Sequence, residues 1–332
     1  MHSPTEFLTI SKTHSNQKMT NKVYLGIDTS NYTTSLAICN EDGKIIANIK
    51  KLLDVKDGEK GLRQSDAVFS HIKNLPILSS ELASVMENCE IEAVGVSTTP
   101  RDVEGSYMPC FLVGRATAMT VAATHGAPVY EFSHQAGHIM AALYSCAMEN
   151  DLIDKEFIAF HVSGGTTEAL YVKPNGNTFA VDIIGATADI SAGQAIDRAG
   201  VMMGLKFPCG KELEKLANTY EGKLPKPKIC VKGSECNLSG LENIAEKLYK
   251  ETNDKAYVAA YVLNFVSQTL IAITENIRTN HPTIPIVYAG GVMSNKLLQS
   301  NLAKYENTYF ATPEFSADNA AGIALLARKS HQ

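Results

Sequence analysis

At 332 residues the chain is long enough for two domains with cores of their own. A composition of 45% hydrophobic and 20% charged residues excludes the disordered and fibrous classes, and no apolar run approaches ~20 residues, so no membrane span is expected. The net charge of −5 excludes gripping nucleic acid by global charge alone, leaving that task to a local basic patch or a basic partner.

Residues 1–18 are polar, rich in Ser, Thr and Lys, and lack the apolar stretch of a secretory signal. Residues 1–19 are therefore expected to be a disordered extension, with Met19 as an alternative start. The cysteines are Cys39, Cys89, Cys110, Cys146, Cys209, Cys230 and Cys236, odd in number and without a CxxC pair. That favours reduced thiols and a cytoplasmic protein over a disulfide framework.

Val23 to Asp28 reads as a short buried strand ending in an acid, and Thr33 to Cys39 and Lys44 to Lys50 complete a meander. Asp28 is either a functional acid at a strand's C-terminal end or an acceptor for nearby turn amides. Residues 51–62 read as a loop. Asp66 to Met86 has helical periodicity, with Pro76 expected to split or kink it. A strand follows over Ile91 to Ser97, a loop around Pro100, a buried helix over Tyr107 to His125, and a short strand over Pro128 to Phe132. Ser133 is a good N-cap for the segment after it, in which His134 and His138, four apart, share one helix face. Such a pair either holds one transition metal with a third ligand from elsewhere or is incidental.

Phe157-Ile158-Ala159 leads into Phe160-His161-Val162-Ser163-Gly164-Gly165-Thr166-Thr167 and then Glu168 to Val172: strand, Gly-rich turn, strand. Gly164 and Gly165 lack a Cβ, so their amides can approach an anion; the plainer alternative is an ordinary hairpin. The stretch has an echo. Aligning Thr33-Thr34 with Thr166-Thr167, without a gap, puts Ser30 on Ser163 and the turn residue Gly43 on Gly176. Two such meanders, each opening a half of the chain, predict duplicated domains facing each other, with two anion-cradling hairpins clamping a polyphosphate.

Gly185 to Gly204 contains a helix in which Asp197 lies among Ala195, Ile196, Ala199 and Val201. Asp197 either accepts from ribose hydroxyls or forms a surface pair with Arg198. Phe207 to Glu214 turns into another helix, and Lys223, Lys226, Lys228 and Lys232 form a basic cluster that is either a solvated loop or a contact for RNA phosphates. Leu241 to Lys250 and Ala256 to Arg278 are helical. Ile284 to Ala289 is a strand, and Gly290-Gly291-Val292-Met293-Ser294-Asn295 opens a helix at a junction a base or phosphate can approach. Asp318 lies near the last helix, as a cap or as a metal ligand.

In their order these motifs resemble the ATP-binding fold shared by actin, sugar kinases and heat-shock chaperones. The chain is more closely similar to the TsaD family of tRNA threonylcarbamoyl transferases, once labelled O-sialoglycoprotein endopeptidases, from about Lys22 to the C-terminal helix. The most specific parts are His134 with His138, Val162-Ser163-Gly164-Gly165, Asp197, Gly290-Gly291-Val292 with Asn295, and Asp318-Asn319-Ala320-Ala321. The resemblance implies an α/β fold of two duplicated actin-like (RNase H-like) domains around a nucleotide cleft, domain I being 20–150 plus 312–332 and domain II 151–311.

It also implies a divalent metal, iron or zinc, on His134, His138 and Asp318, with His161 standing where the eukaryotic and archaeal branch has a metal-binding Tyr. It places threonylcarbamoyl-adenylate, or an ATP- or AMP-type nucleotide, on His161 to Gly165, Asp197, Gly210, Glu214, Gly290, Gly291 and Asn295, with Asp28 and Ser30 as further candidates. It implies threonylcarbamoyl transfer to the adenine next to a tRNA anticodon, with tRNA and TsaB- and TsaE-like subunits as partners. Four departures mark a divergent paralogue. Tyr32-Thr33 replaces an acidic pair, and Gln135-Ala136 stands where the family has x-Glu. Asp189-Ile190-Ser191-Ala192-Gly193-Gln194 replaces Asp-Asp-Ala-Ala-Gly-Glu, and Glu242 replaces a Lys after Ser239-Gly240-Leu241. A nucleotide-binding regulatory paralogue is thus the alternative. A glycopeptidase is the weakest reading, because no HExxH is present.

Overall fold

The structure, a computed structural model, describes residues 21–30, 32–54, 62–316 and 319–332. The expected extension over 1–19, with Met19, lies outside the described residues, as do the middle of the loop expected over 51–62 and Asp318.

The first meander is β1 (Asn21–Ser30), β2 (Thr33–Asn40) and β3 (Ile45–Leu52). Then come α1 (Gln64–Ala83), β4 (Cys89–Thr99), α2 (Phe111–His125), β5 (Val129–Ser133), α3 (His134–Ser145) and the single turn α4 (Glu149–Leu152). The second meander is β6 (Phe157–Val162), β7 (Thr167–Asn175) and β8 (Thr178–Ala186). It is followed by α5 (Ala192–Met202), α6 (Gly210–Ala217), the small hairpin β9 (Cys230–Lys232) and β10 (Glu235–Asn237), α7 (Gly240–Thr252) and α8 (Lys255–Asn280). β11 (Ile286–Ala289), α9 (Lys296–Leu302), β12 (Thr308–Phe310) and α10 (Ala321–His331) close the chain.

The two larger sheets have the orders β3-β2-β1-β4-β5 and β12-β11-β6-β7-β8. Read outward from β1 and from β6 these are one topology: an antiparallel meander on one side and two parallel strands on the other. The gapless echo between the halves is therefore structural. Ser30 pairs with Thr33 at the end of the first hairpin, and the Ser163 amide donates to the Thr166 carbonyl at the matching place (2.8 Å). Gly43 and Gly176, the aligned turn residues, both adopt positive φ, +81° and +58°, a region that favours glycine.

β1 and β6 run as near-continuous buried strands, as central strands covered on both faces must. One apolar cluster lies under α1 and α2, another around α8, and a third joins the two sheets through α3, α10, Phe157, Val172 and Val287. α10 returns to pack on β1, β2, β4 and α3. The contact with α3 is backbone to backbone, because a Cβ on Gly322 would overlap the Gly137 carbonyl.

Two local expectations change, those for α1 and α2. α1 runs unbroken through Pro76, whose exposed position leaves the carbonyl it cannot satisfy open to water. α2 is buried on one face only, with Leu112 and Met119 exposed on the other. α8 is long and apolar enough to cross a membrane, yet 67% of its most apolar window is buried inside the protein, where it packs against α6, α7 and α9. All seven cysteines are free. Burial pushes the Cys39 thiol up to about 12 and those of Cys110, Cys146 and Cys236 to about 11, so these four are protonated packing groups at neutral pH.

The close approach of α10 to α3 yields a stability prediction. Gly322→Ala must push the helices apart, costing about 1–3 kcal/mol, and should lower the melting temperature by roughly 2–4 °C for each kcal/mol. An unchanged melting curve would show that the helices can part freely.

Candidate functional site

Asp28, at the end of β1, is wholly buried. Its Oδ1 accepts from the Ser97 hydroxyl on β4, and its Oδ2 pairs with His134 Nδ1 at 3.0 Å. It is not a turn acceptor; its carboxylate ties β1, β4 and α3 together. Ser133 caps α3 by accepting from the Ala136 amide (3.2 Å), which starts the helix so that His134 and His138 project from one face.

Their rings lie edge to face with centroids 4.3 Å apart, and the His138 ring is 5.3 Å from that of His161 on β6. The three imidazoles that the resemblance groups are thus neighbours where α3 meets β6. With Nδ1 facing Asp28, ligation by His134 would fall to Nε2, the arrangement in which a carboxylate orients a metal-bound imidazole. Among the described residues, however, no three His, Cys, Asp or Glu side chains close around an ion, and the fourth expected donor, Asp318, is outside them. The nitrogen donors suit iron or zinc chemically; a complete ligand set is not on display.

The Gly-rich turn leaves β6 after Val162, one residue past His161. Gly164 and Gly165 are exposed, and a Cβ on either would meet nothing within 4 Å, so packing does not require glycine there. The turn is stitched to the start of α5: Ser191 Oγ donates to the Gly164 carbonyl (2.6 Å), the Ala192 amide to Thr167 Oγ1 (2.8 Å) and the Gly193 amide to the Ser163 carbonyl (3.2 Å). Gly193 permits this approach, since its Cβ would lie 2.6 Å from Gly164 Cα. The Gly165 and Thr166 amides already donate to Ser163 Oγ, at 3.3 and 3.1 Å, so an anion would have to displace that hydroxyl.

The first hairpin is different from its echo. Ser30, Thr33 and Thr34 are buried, and Thr34 Oγ1 bonds His71 Nδ1 (2.8 Å) and Asn74 Nδ2 (3.2 Å) on α1. Burial lowers the His71 pKa, partly countered by Asp28 and the Ser30 carbonyl, which favours a neutral ring. The two hairpins are thus not equivalent: the strand ends of the first, Ser30, Thr33 and Thr34, are buried against α1, while Gly164 and Gly165 of the second are exposed.

The remaining predicted residues gather in the second half. Asp197 Oδ1 accepts from the Cys209 amide (2.7 Å), just before Gly210 opens α6. Arg198 turns instead to Glu242 (3.4 Å), which removes the Asp197–Arg198 pair as an alternative. Burial raises the Asp197 pKa, only partly offset by the Cys209 amide. Glu214 on α6 accepts from the Lys296 amide (2.8 Å), and Asn295 caps α9 through the Leu297 and Leu298 amides (3.0 and 3.1 Å). Gly290, at φ +103°, sits so close to Val162 that a Cβ would overlap its carbonyl, which brings the Gly290-Gly291 junction against the base of the Ser163 turn. Lys223, Lys226, Lys228 and Lys232 are all exposed.

Three residues at the site carried no signal in the sequence. Ser97 and His71 sit in ordinary strand and helix patterns, and only the fold brings them to Asp28 and Thr34. Arg101, on the loop after β4, crosses to Glu168 on β7, its Nη2 donating to both carboxylate oxygens at 2.8 and 2.9 Å.

Comparison with known proteins agrees with this arrangement. A family model described as "TsaD: tRNA N6-adenosine threonylcarbamoyltransferase" matches residues 45–325. Curated relatives carrying that name include those of Thermosipho africanus, 30% identical across 93% of this chain and 94% of the relative, and of Fervidobacterium nodosum, 31% identical across 91% of each. Among solved structures the chain resembles full-length HypF in its phosphate- and nucleotide-bound form (TM-score 0.56, 14% identity), covering 95% of this chain and 56% of HypF. It also resembles component A of the Acidaminococcus fermentans (R)-2-hydroxyglutaryl-CoA dehydratase (TM-score 0.51, 17% identity), covering 93% and 98%. At those identities the structural likeness concerns the fold, and together with the repeated topology it gives the duplicated actin-like architecture.

Asp197 provides a test of its own. Its folded-state pKa lies above the ordinary value, so folding takes up a proton; the ionised carboxylate costs stability above the folded pKa, and that cost vanishes below the unfolded one. Asp197→Asn, whose amide oxygen can still accept from Cys209, should leave the melting temperature at pH 7 unchanged or higher, the gain disappearing near pH 3. A clear loss of stability at pH 7 would mean that the charge is structurally required.

Proposed function

We propose that this chain, which belongs to the TsaD family of tRNA N6-adenosine threonylcarbamoyltransferases, transfers a threonylcarbamoyl group from threonylcarbamoyl-adenylate to the adenine next to a tRNA anticodon. The observation that carries this reading is the meeting of His134, His138 and His161 beside the open Ser163–Gly165 turn. That is where an adenylate must present its mixed anhydride.

In this reading Asp197, Glu214 and Asn295 hold the ribose and base, with Gly210, Gly290 and Gly291 keeping the surface low enough for a flat ring. Asp197 suits the ribose because a carboxylate that already carries a burial penalty gains from hydroxyl donors. The turn of His161, Val162, Ser163, Gly164 and Gly165 takes the phosphate, its amides exchanging Ser163 Oγ for a phosphate oxygen. Asp28 fixes the His134 ring; Ser30, the other candidate in the first hairpin, is buried and serves packing around it.

His134, His138 and His161, with Asp318, would hold one iron or zinc ion, which as a Lewis acid would polarise a carbonyl or phosphoryl oxygen. The four exposed lysines of residues 223–232 are candidates for tRNA phosphates, and the overall charge of −5 makes help from accessory subunits, TsaB- and TsaE-like, part of the proposal. Seven unpaired thiols support a cytoplasmic place of action.

A second reading, a nucleotide-binding regulatory paralogue, draws support from Ala136, which leaves α3 without an acid between its two histidines, and from the self-satisfied Ser163 turn. Turnover decides between them. Purified protein given the adenylate, tRNA and partner subunits should form the modified base; no product with every component present would sink the transferase reading and leave the regulatory one. For the histidines, metal occupancy should survive His161→Tyr and fall in His161→Leu and His138→Ala. Equal, full occupancy in all of them would remove these residues as ligands.

A further inference from the structure

We propose that Arg101 is an anion-binding residue of this site, oriented by Glu168 and presenting the free edge of its guanidinium to a phosphate or carboxylate group of the bound donor. This rests on the adenylate reading of the site.

The position of Arg101 is fixed from both sides. The Pro100 carbonyl accepts from the Gln135 amide (3.1 Å) in the first turn of α3, next to His134, and the Arg101 amide donates to Ser106 Oγ (3.1 Å). The side chain then spans from the first sheet's loop to the second sheet, where Glu168 stands directly opposite His161 in the β6–β7 register. Arg101 therefore lies between the two histidine-bearing elements, and the Ser163 turn begins two residues beyond His161.

The hydrogen bonding is asymmetric. A guanidinium has five N–H donors, and both bonds to Glu168 come from Nη2, while among the described residues Nε and Nη1 make none. The fork that pairs two parallel donors with a carboxylate or phosphate is thus unused. Exposure follows the same division: the Arg101 side chain is 37% accessible, that of Glu168 only 17%. Glu168 holds one nitrogen and leaves the other edge open, which is the role of an orienting partner. As a stability element such a half-exposed pair is worth little.

The Ser163 turn supplies an independent reason. With the Gly165 and Thr166 amides engaged by Ser163 Oγ, and those of Ala192 and Gly193 spent on Thr167 and Ser163, an anion arriving here finds few ready backbone donors. Arg101 supplies a charged one without any rearrangement. The donor's two anionic groups, phosphate and threonine carboxylate, share this chemistry, and probes carrying one or the other separate them.

Calorimetric affinities of wild type, Arg101→Gln, Arg101→Lys and Glu168→Gln for AMP, adenosine, N-carbamoyl-threonine and its methyl ester form the test. Losing a charged hydrogen-bond donor should weaken one anionic probe by roughly 10- to 100-fold, with its neutral counterpart unchanged. Loss confined to AMP identifies the phosphate, and loss confined to N-carbamoyl-threonine identifies the carboxylate. Arg101→Lys should recover part of the affinity, and Glu168→Gln, which leaves the cation unoriented, should lose less than Arg101→Gln. Unchanged affinity for both anions in Arg101→Gln overturns this inference and leaves the adenylate reading standing, as does equal loss for AMP and adenosine. Wild-type protein that binds none of the probes overturns both.

Discussion

The buried carboxylate of Asp28 is the interaction on which the site depends. A charge with no solvent contact is tolerable only when its lone pairs are matched, and here Ser97 takes one oxygen and His134 the other. The three residues come from a central strand, its parallel neighbour and the helix after β5, so the polar contact can form only once the first sheet is assembled and α3 is docked. The orientation of the His134 ring is therefore a consequence of the whole first half's fold. Through the 4.3 Å ring contact it extends to His138, and from there to His161 on the other sheet. Removing the carboxylate would leave Ser97 and the ring nitrogen buried without their acceptor, a cost of about 1–3 kcal/mol borne at the point where the site is built.

Duplication made much of this legible beforehand. A gapless alignment of the two meanders specifies more than a pattern of strands: it pairs Ser30 with Ser163 and Gly43 with Gly176, and the shared strand order and positive φ values agree with it. Hydrophobic runs place strands well because central strands are buried on both faces, and Ser133 and Ser191 announce helix starts because an unsatisfied first turn needs an acceptor. The His pair was readable because helical spacing is local. Contacts between distant segments stayed hidden. Nothing at positions 71, 97 or 101 distinguishes those residues from neighbours on the same elements; their partners are 37, 69 and 67 residues away. Pro76 gives a strong local signal for a break, yet α1 continues through it, with Pro76 and Ile72 on the exposed side of the helix, where water can meet the unbonded carbonyl.

The two hairpins show how a repeat acquires different uses. In the first half α1 packs against the start of β2, where His71 and Asn74 draw Thr34 into a buried network. In the second half the first helix after the meander, α5, meets the turn with its N-terminal end, and the turn's glycines stay exposed. The same strand–turn–strand unit thus enters a buried polar network in the first half and presents exposed glycines in the second. The difference lies in the helix packed behind each meander, and aligning the meanders alone cannot reveal it.

The charge balance of the site arises from that asymmetry. In the first hairpin and between the two histidines this chain carries Tyr32-Thr33 and Ala136, none of them acidic. Beside the histidines two acids have their charge met: Asp28 is locked beneath His134, and Glu168 pairs with Arg101 from the opposite sheet. Each is paired with a group of the other sign or with donors, so neither projects a bare negative charge toward the turn. For a ligand that is itself anionic, an approach with its carboxylates paired is more favourable than one lined by free acids, at short range where screening by salt is weakest. The contacts that tie β1, β4 and α3 together and the ion pair that joins the two sheets thus also keep these two carboxylates from presenting bare charge beside the histidines.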